Sequence, residues 1–498
     1  MASFRNSGQR RLGVCVILIA AASLFAIGLR DPDGISLEAQ VRDALCHRLL
    51  ANTTDGRQAL VSSVWWAPLP TLLRLPLAAL PGLPCLPVAS LCVSIFFGLA
   101  ALVLLNRTLQ AWGVGWVRFL LAAGLAANPC FAHECLNGSS NTFLIFLVLW
   151  IVQGWTLWLT EHRMRGMVFL GLGCAMLLLS SAELAPWTLA VLVAFALIEL
   201  RRGGAGGRRE AVLFITLFPV VYALGLWMLT NWLIMNRWLY FARSLFTAGP
   251  QEGAMALPGF HAAGLLYLAA APTLLLLIVA ALRRDGAGIG IALLAMAPVA
   301  VAQLLAQRRY LWAGSPALLI ILPLGILALG YVLRLWTRAG RPVRTAVALF
   351  PLLLAAATAV EPRATLRDGP GHPVPAQSTL QRLATLSDIG RFVRERSVYA
   401  KVFVCGYEGY ALTDGAQNPL FVPSLDFNFP REKRNYAGQN LYLLVHRPAG
   451  RVAMNSIYWK YKNLFTEGAQ NTLFCGDWNE WRLFEIVQGP RIQEAAWK

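Results

Sequence analysis

The residues able to do chemistry are few, and they stand at the ends of apolar runs. Asp31 and Asp33 occur in Asp31-Pro32-Asp33-Gly34, just past the first run. His133 and Glu134 are adjacent, and Glu183 stands between Ala182 and Leu184. Arg237 and Arg243 flank an aromatic stretch containing Tyr240, and Arg308, Arg309 and Tyr310 are consecutive. A carboxylate takes the proton of a hydroxyl nucleophile, and arginine forks hold a phosphate leaving group by charge-assisted hydrogen bonds. An acidic set facing a basic set therefore suits transfer from a phosphate-linked substrate. Each residue also has a plainer reading. Asp33 could cap the helix predicted after it, Asp31 could mark where a span meets water, His133 and Glu134 could be ordinary loop polars, and Arg308 and Arg309 could hold lipid headgroups. Glu183 has the least structural reason to be where it is, because an acid beside a membrane core is costly unless paired or functional.

The elements that position these residues are spans. Apolar residues make up 57% of the chain and charged residues only 14%, where a soluble protein carries about 25% charged residues. Many runs reach the ~20 residues that cross a bilayer. The net charge of +18 comes from arginines in short loops between those runs, a topology signal that argues against a nucleic-acid partner. Every lysine lies beyond residue 400.

The N-terminal run, Leu12 to about Leu29 behind Arg5, Arg10 and Arg11, reads as an uncleaved first span. The helical pattern that follows puts Leu37, Val41, Leu45 and Leu49 on one face, predicting an amphipathic helix along the membrane. The arginine-rich loops 161–165, 201–209, 283–284 and 334–344 gather on the cytoplasmic side only if one early run does not cross. The run 63–80 is that one: it holds Pro68, Pro70, Pro76 and Arg74 and opens on Trp65-Trp66, a pair suited to the interface. The expectation is a polytopic α-helical protein of about eleven crossings with its N-terminus cytoplasmic. Juxtamembrane helices occupy a first outer loop at 30–86, and 129–140 is the second outer loop. Residues 1–361 form the membrane domain, 362–378 a Pro/Gly/Arg linker, and 379–498 an extracytoplasmic α/β domain. In that domain a helix is expected over 380–393 and strands at 401–405, 441–445 and 481–487. The pairs Cys130/Cys135 and Cys405/Cys475 are disulfide candidates in an oxidising compartment.

In order and sidedness these segments resemble the GT-C class of membrane glycosyltransferases, which includes oligosaccharyltransferase catalytic subunits, protein mannosyltransferases and aminoarabinose transferases. Asp31-Pro32-Asp33-Gly34 resembles the first acidic motif of that class. Trp65 to Pro70 is similar to its proline-rich juxtamembrane segment, and Asn128 to Glu134 stands where its second acidic motif falls. Leu239-Tyr240-Phe241 and Arg309-Tyr310-Leu311 also look like class motifs. The resemblance covers about residues 10–360. It implies an enzyme, an inverting glycosyltransferase of the bacterial inner membrane, taking a sugar from a polyprenyl-phosphate donor to a glycan, lipid or protein acceptor on the outer face. Asp33 is expected to be the general base, with Asp31 orienting the acceptor hydroxyl or helping to bind a metal. Glu183, Arg237, Tyr240, Arg243, Arg308, Arg309 and Tyr310 would bind substrate, and His133 and Glu134 would hold a divalent metal (Mg or Mn) if one is used. The chain departs from the class in four ways: it has no Trp-Trp-Asp-Tyr-Gly motif, Ile35-Ser36-Leu37 replaces the aromatics after the first acidic motif, the second motif lacks a clear paired acid, and Ser181-Ala182-Glu183 lacks an Arg-Pro. Peptide N-glycosylation is therefore not expected. The other readings are a non-enzymatic scaffold of a glycan-assembly machine and a transporter. A transporter places ionisable groups mid-span, whereas here they cluster at one surface.

Cysteines placed in loops 201–209 and 334–344 should be labelled only after the cell is permeabilised, and cysteines placed in 379–498 should be labelled from outside. Labelling of 201–209 from outside intact cells would contradict this arrangement.

Overall fold

A computed structural model describes residues 35–80, 88–161, 163–201, 206–242, 260–307, 319–335, 349–351, 379–413, 420–424, 436, 438–447, 461 and 464–487. Asp31, Asp33, Arg243, Arg308, Arg309 and Tyr310 lie outside the described residues, as do the first span and the 362–378 linker.

The described chain opens with α1 (Leu37–Leu50) and α2 (Thr54–Val61), followed by two single turns, α3 (Leu69–Leu72) and α4 (Leu75–Ala78). Pro70 and Pro76 sit in the first turns of α3 and α4, where a missing N–H costs nothing, and each helix stops within one turn. The bundle then runs through α5 (Val88–Ala111), α6 (Val117–Ala126), α7 (Pro129–Leu136), α8 (Asn141–Glu161), α9 (Met164–Leu178), α10 (Ala185–Arg201) and α11 (Gly206–Met235). It continues with α12 (Phe260–Leu282), α13 (Gly286–Gln307) and α14 (Ile321–Leu335). Among the described residues three helices are long and apolar enough to cross a bilayer, or four if α6 and α7 count as one bent span. With the shorter apolar helices beside them, they make the chain a multi-pass membrane protein. Its core holds Trp155 and Trp187, both buried. Two buried indole N–H groups bond across helices: Trp187 Nε1 donates to the Leu294 carbonyl at 3.0 Å and Trp158 Nε1 to Glu199 Oε1 at 2.6 Å. The α8–α9 crossing is closer than side chains permit, since a Cβ on Gly154 would stand 2.8 Å from the Gly166 carbonyl oxygen.

Two sequence expectations are corrected here. The second loop is not a plain loop. Asn128 caps α7 by accepting from the Cys130 and Phe131 amides, Pro129 starts the helix, and α7 bends 61° away from α6. Helix α1 does form, but it is not an amphipathic helix on the membrane. Arg42 and Asp43 are buried along with Val41 and Leu45, so both faces are inside the protein.

The C-terminal unit is α15 (Thr379–Arg396), β1 (Ala400–Cys405), α16 (Glu408–Thr413), β2 (Phe421–Ser424), β3 (Asn440–His446), α17 (Leu464–Glu467), β4 (Thr472–Trp478) and β5 (Trp481–Ile486). The sheet order is β2-β1-β3-β5-β4, with β2, β1 and β3 parallel and β5 and β4 antiparallel. Neither disulfide candidate forms: Cys130, Cys135 and Cys475 take part in no disulfide. Cys130 and Cys135 are five residues apart on one helix and project in different directions. Cys405 and Cys475 sit on strands separated by β3 and β5, well beyond disulfide reach.

His446 is buried at the end of β3, edge-on to Trp481, with Nδ1 2.8 Å from the Arg447 carbonyl oxygen. Burial holds its imidazole down, to about 4. The unfolded chain, titrating near the ordinary 6.5, binds more protons between these values, so stability is fully present above about pH 6.5 and is lost as pH falls. The slope is about 1.4 kcal/mol per pH unit. Urea unfolding of this domain in the intact chain should therefore weaken from pH 6.5 to 4.5. In His446→Phe that part of the pH dependence should disappear, and an unchanged slope in the variant would contradict the assignment.

Candidate functional site

The polar loops meet around α1. Ser36, not Asp33, caps this helix: its Oγ accepts from the Ala39 amide at 3.2 Å. Asp33 therefore lies three residues before the cap rather than at the start of the helix. One turn in, Arg42 is fully buried. Its Nε donates to Glu38 Oε1 at 2.7 Å, and its Nη1 donates to Thr71 Oγ1 at 2.9 Å and to the Ala67 carbonyl at 3.1 Å. Glu38 also accepts from the Ser140 hydroxyl. One guanidinium thus ties α1 to the proline-rich segment, and its carboxylate partner ties α1 to the second polar loop.

A second buried arginine closes the same seam. Arg74 Nη2 donates to the Gly138 carbonyl at 2.9 Å. Gly138 has φ +71°, and a Cβ there would meet the Ala39 Cβ at 2.9 Å, so only glycine lets the second loop lie this close to α1. The Ser36 amide donates to the Asn137 carbonyl at 2.8 Å and extends the contact. Asp43 accepts from the Ser90 hydroxyl at 2.6 Å and the Ser90 amide at 3.2 Å, joining α1 to the start of α5. Burial pushes the Asp43 carboxyl up, while the nearby Arg74 charge and the Ser90 bonds pull it down.

Glu134 and His133 do not act as a pair. His133 is exposed, whereas Glu134 is buried. Glu134 Oε2 accepts from Ser139 Oγ at 2.5 Å, Asn141 Nδ2 at 2.8 Å and Asn137 Nδ2 at 3.2 Å. That carboxylate shapes its own loop. Among the described residues no three His, Cys, Asp or Glu side chains come close enough to hold a metal. An ion at Glu134 would have to displace donors already bound, so the described residues do not fit a metal centre.

The third and fourth loops join through aromatic packing. Glu183 is buried in the turn between α9 and α10. The Leu69 amide donates to the Leu179 carbonyl at 3.1 Å, fixing this turn to the proline-rich segment. Ala182 packs with Val64, Ala67, Trp227 and Phe241. Helix α11 ends at Asn236, which turns the chain back at φ 54°. Trp238 then stacks on Trp232 at 5.0 Å, and Phe241 stacks on Trp227 at 4.3 Å. This fold-back brings the Arg237–Phe241 stretch beside the Glu183 turn, with Arg237 exposed and Tyr240 half-buried. The segment 63–74 is thus the common neighbour of the first, second, third and fourth polar loops.

The sequence reading missed Glu38, Arg42, Asp43, Arg74 and Ser90 as organising residues. The Glu38/Arg42 spacing of four and a lone arginine among prolines were the available signals. Trp66 is also corrected. It is buried and stacked on Tyr407 of the C-terminal domain at 5.2 Å, not anchored at a lipid interface.

The chain has the fold of ArnT from Cupriavidus metallidurans bound to undecaprenyl phosphate, with TM-score 0.55 and 14% identity over 96% of this chain and 99% of that one. ArnT from the same organism in the apo state gives 0.43 at 13% identity, over 97% and 100%. The Archaeoglobus fulgidus oligosaccharyltransferase in the apo form gives 0.46 at 13%, over 91% of this chain and 73% of that one. No protein-family model matches the chain, and no curated protein matches it in sequence. The resemblance to GT-C membrane glycosyltransferases thus holds for the fold over nearly the whole length.

Removing one member of a buried ion pair costs about 3–5 kcal/mol, while replacing both with apolar groups of similar volume is far milder. Arg42→Met should therefore lower the thermal midpoint of the purified protein sharply, and Glu38→Leu/Arg42→Met should recover much of the loss. Equal midpoints for the single and double variants would contradict the pairing.

Proposed function

We propose that the chain is a membrane glycosyltransferase that moves a sugar from a polyprenyl-phosphate donor to an acceptor hydroxyl on the non-cytoplasmic face. The observation that carries this reading is the convergence of the polar loops on the 63–74 segment, within a fold whose solved counterpart binds undecaprenyl phosphate. The C-terminal domain touches α1 and α2 directly, which supports putting domain and site on one face. On this topology the N-terminus is cytoplasmic and the arginine-rich loops 201–209 and 334–344 face the cytoplasm.

Asp33 takes the proton of the acceptor hydroxyl, whose oxygen attacks the anomeric carbon as the bond to the phosphate oxygen breaks. Asp31 orients the acceptor. The leaving polyprenyl phosphate gains negative charge, which Arg308 and Arg309, with Arg237 and Arg243, neutralise through charge-assisted bonds. Glu183, Tyr240 and Tyr310 contact the substrate. No step is assigned to a metal: Glu134 Oε2 is already bonded and His133 is exposed.

Transfer should be measured from a pool of polyprenyl-phosphate donors with purified protein and membrane-extract acceptors. Loss of a general base costs about 10²–10⁴ in rate, so Asp33→Asn should nearly abolish transfer without lowering the thermal midpoint. Arg308→Ala or Arg309→Ala should raise the donor KM, and Lys should rescue only in part because it lacks the planar fork. Full transfer in Asp31→Asn, Asp33→Asn and the double variant would remove the catalytic role of the two aspartates, and no transfer by the unaltered chain would remove the enzymatic reading.

A further inference from the structure

The C-terminal domain stands on α1 and α2 through two tyrosines. Tyr410 is fully buried. Its hydroxyl donates to the Asp55 carbonyl at 3.3 Å, and the Arg48 guanidinium lies 4.7 Å from its ring. This foot leads to the end of α1 distant from Glu38. Tyr407 leads the other way. Its hydroxyl donates to the Ala59 carbonyl at 3.0 Å and lies 2.6 Å from Ser62 Oγ, and its ring stacks on Trp66 at 5.2 Å and 15°. The Arg42 guanidinium stands 5.6 Å from the Trp66 ring and also donates to the carbonyl of Ala67, the next residue. Arg42 pairs with Glu38, which accepts from Ser140 of the second polar loop.

We propose that Tyr407 is a positioning residue: through Trp66 and Arg42, the C-terminal domain holds the second polar loop against α1 for the sugar transfer proposed above. The inference rests on that transfer reading for its consequence, and on the contact series for its geometry. Every contact in the series is buried or partly buried, so water does not replace a lost neighbour. A cation over an aromatic face is attracted by the ring quadrupole, and more strongly when desolvated. Without Tyr407, Trp66 loses its stacking partner, and Arg42 loses the ring that fixes the neighbouring carbonyl.

The test needs one readout independent of activity, and Cys46 supplies it. Its thiol donates to the Thr71 carbonyl at 3.3 Å, beside the hydroxyl that accepts from Arg42, and burial pushes it up to about 12. It is inert while the α1–α3 seam is closed. In full-length protein with the other cysteines replaced by alanine, maleimide labelling of Cys46 and sugar transfer are measured for Tyr407→Ala, Tyr407→Phe, Trp66→Leu and Tyr410→Phe.

Small misplacements of reacting groups cost about 10²-fold, so Tyr407→Ala and Trp66→Leu should lower kcat tenfold or more with donor KM unchanged and Cys46 labelling accelerated. Tyr407→Phe keeps the stack and should retain most of kcat, and Tyr410→Phe should match the unaltered chain in both readouts. Where Tyr407→Ala fails to fold, Trp66→Leu carries the test from the other side of the stack. Unchanged labelling and unchanged kcat in folded Tyr407→Ala or Trp66→Leu would overturn the proposal. An unaltered chain that transfers no sugar, with labelling still accelerated in Trp66→Leu, would overturn the transfer reading and the catalytic role of the relay while leaving the coupling itself established.

Discussion

A fully buried guanidinium must have its partners, and Arg42 is the residue on which the rest of this structure depends. Arginine does not shed its proton to escape burial. Its charge is met by Glu38 on the same helix, and its Nη1 donates to Thr71 Oγ1 and the Ala67 carbonyl. These partners come from different stretches of chain, so satisfying one side chain draws together α1 and the proline-rich segment, and Glu38 brings in the second loop. Arg74 repeats the device from the other side through Gly138. The proline-rich segment cannot form a long helix of its own; it offers the Ala67 carbonyl to Arg42 and sends Arg74 to the Gly138 carbonyl of the second loop.

The same constraint explains the division of labour among the acidic residues. Glu38, Asp43 and Glu134 each have bonded partners that hold one element to another. They are structural charges. Asp31 and Asp33 precede the Ser36 cap, and Glu183 stands in a turn reached through Leu179 and Ala182. The chemistry proposed above is assigned to Asp31 and Asp33 from the acidic motif of the sequence, apart from the carboxylates that join elements.

Much of the framework was legible because it follows from period and composition. The 3.6-residue apolar pattern marked α1, alternating and β-branched runs marked β1, β3 and β5, and the prolines of 63–80 marked a stretch that breaks into the single turns α3 and α4. The strands β2 and β4 were missed: Phe421–Ser424 is four residues long and contains Pro423, and Thr472–Trp478 is an edge strand whose apolar residues face outward. Burial of Arg42 and Asp43 could not be read, because a charged residue looks the same in sequence whether its partner is water or a distant backbone carbonyl. The docking of Tyr407 and Tyr410 joins residues more than three hundred positions apart. Nothing local announces such a contact, and the domain reads as free-standing until the structure shows its footing.

The central claim is that the arginine-organised loops build one site for a polyprenyl phosphate. It is tested most directly by photo-crosslinking, using an undecaprenyl phosphate probe with its photoreactive group next to the phosphate and mapping the labelled peptides in the purified full-length protein. The account predicts labelling in the Ala182–Glu183 turn and the Arg237–Phe241 stretch, competed by undecaprenyl phosphate but not by undecaprenol. Labelling confined to the exposed face of α11 at Phe214 and Phe218, equally competed by the phosphate-free alcohol, would contradict it.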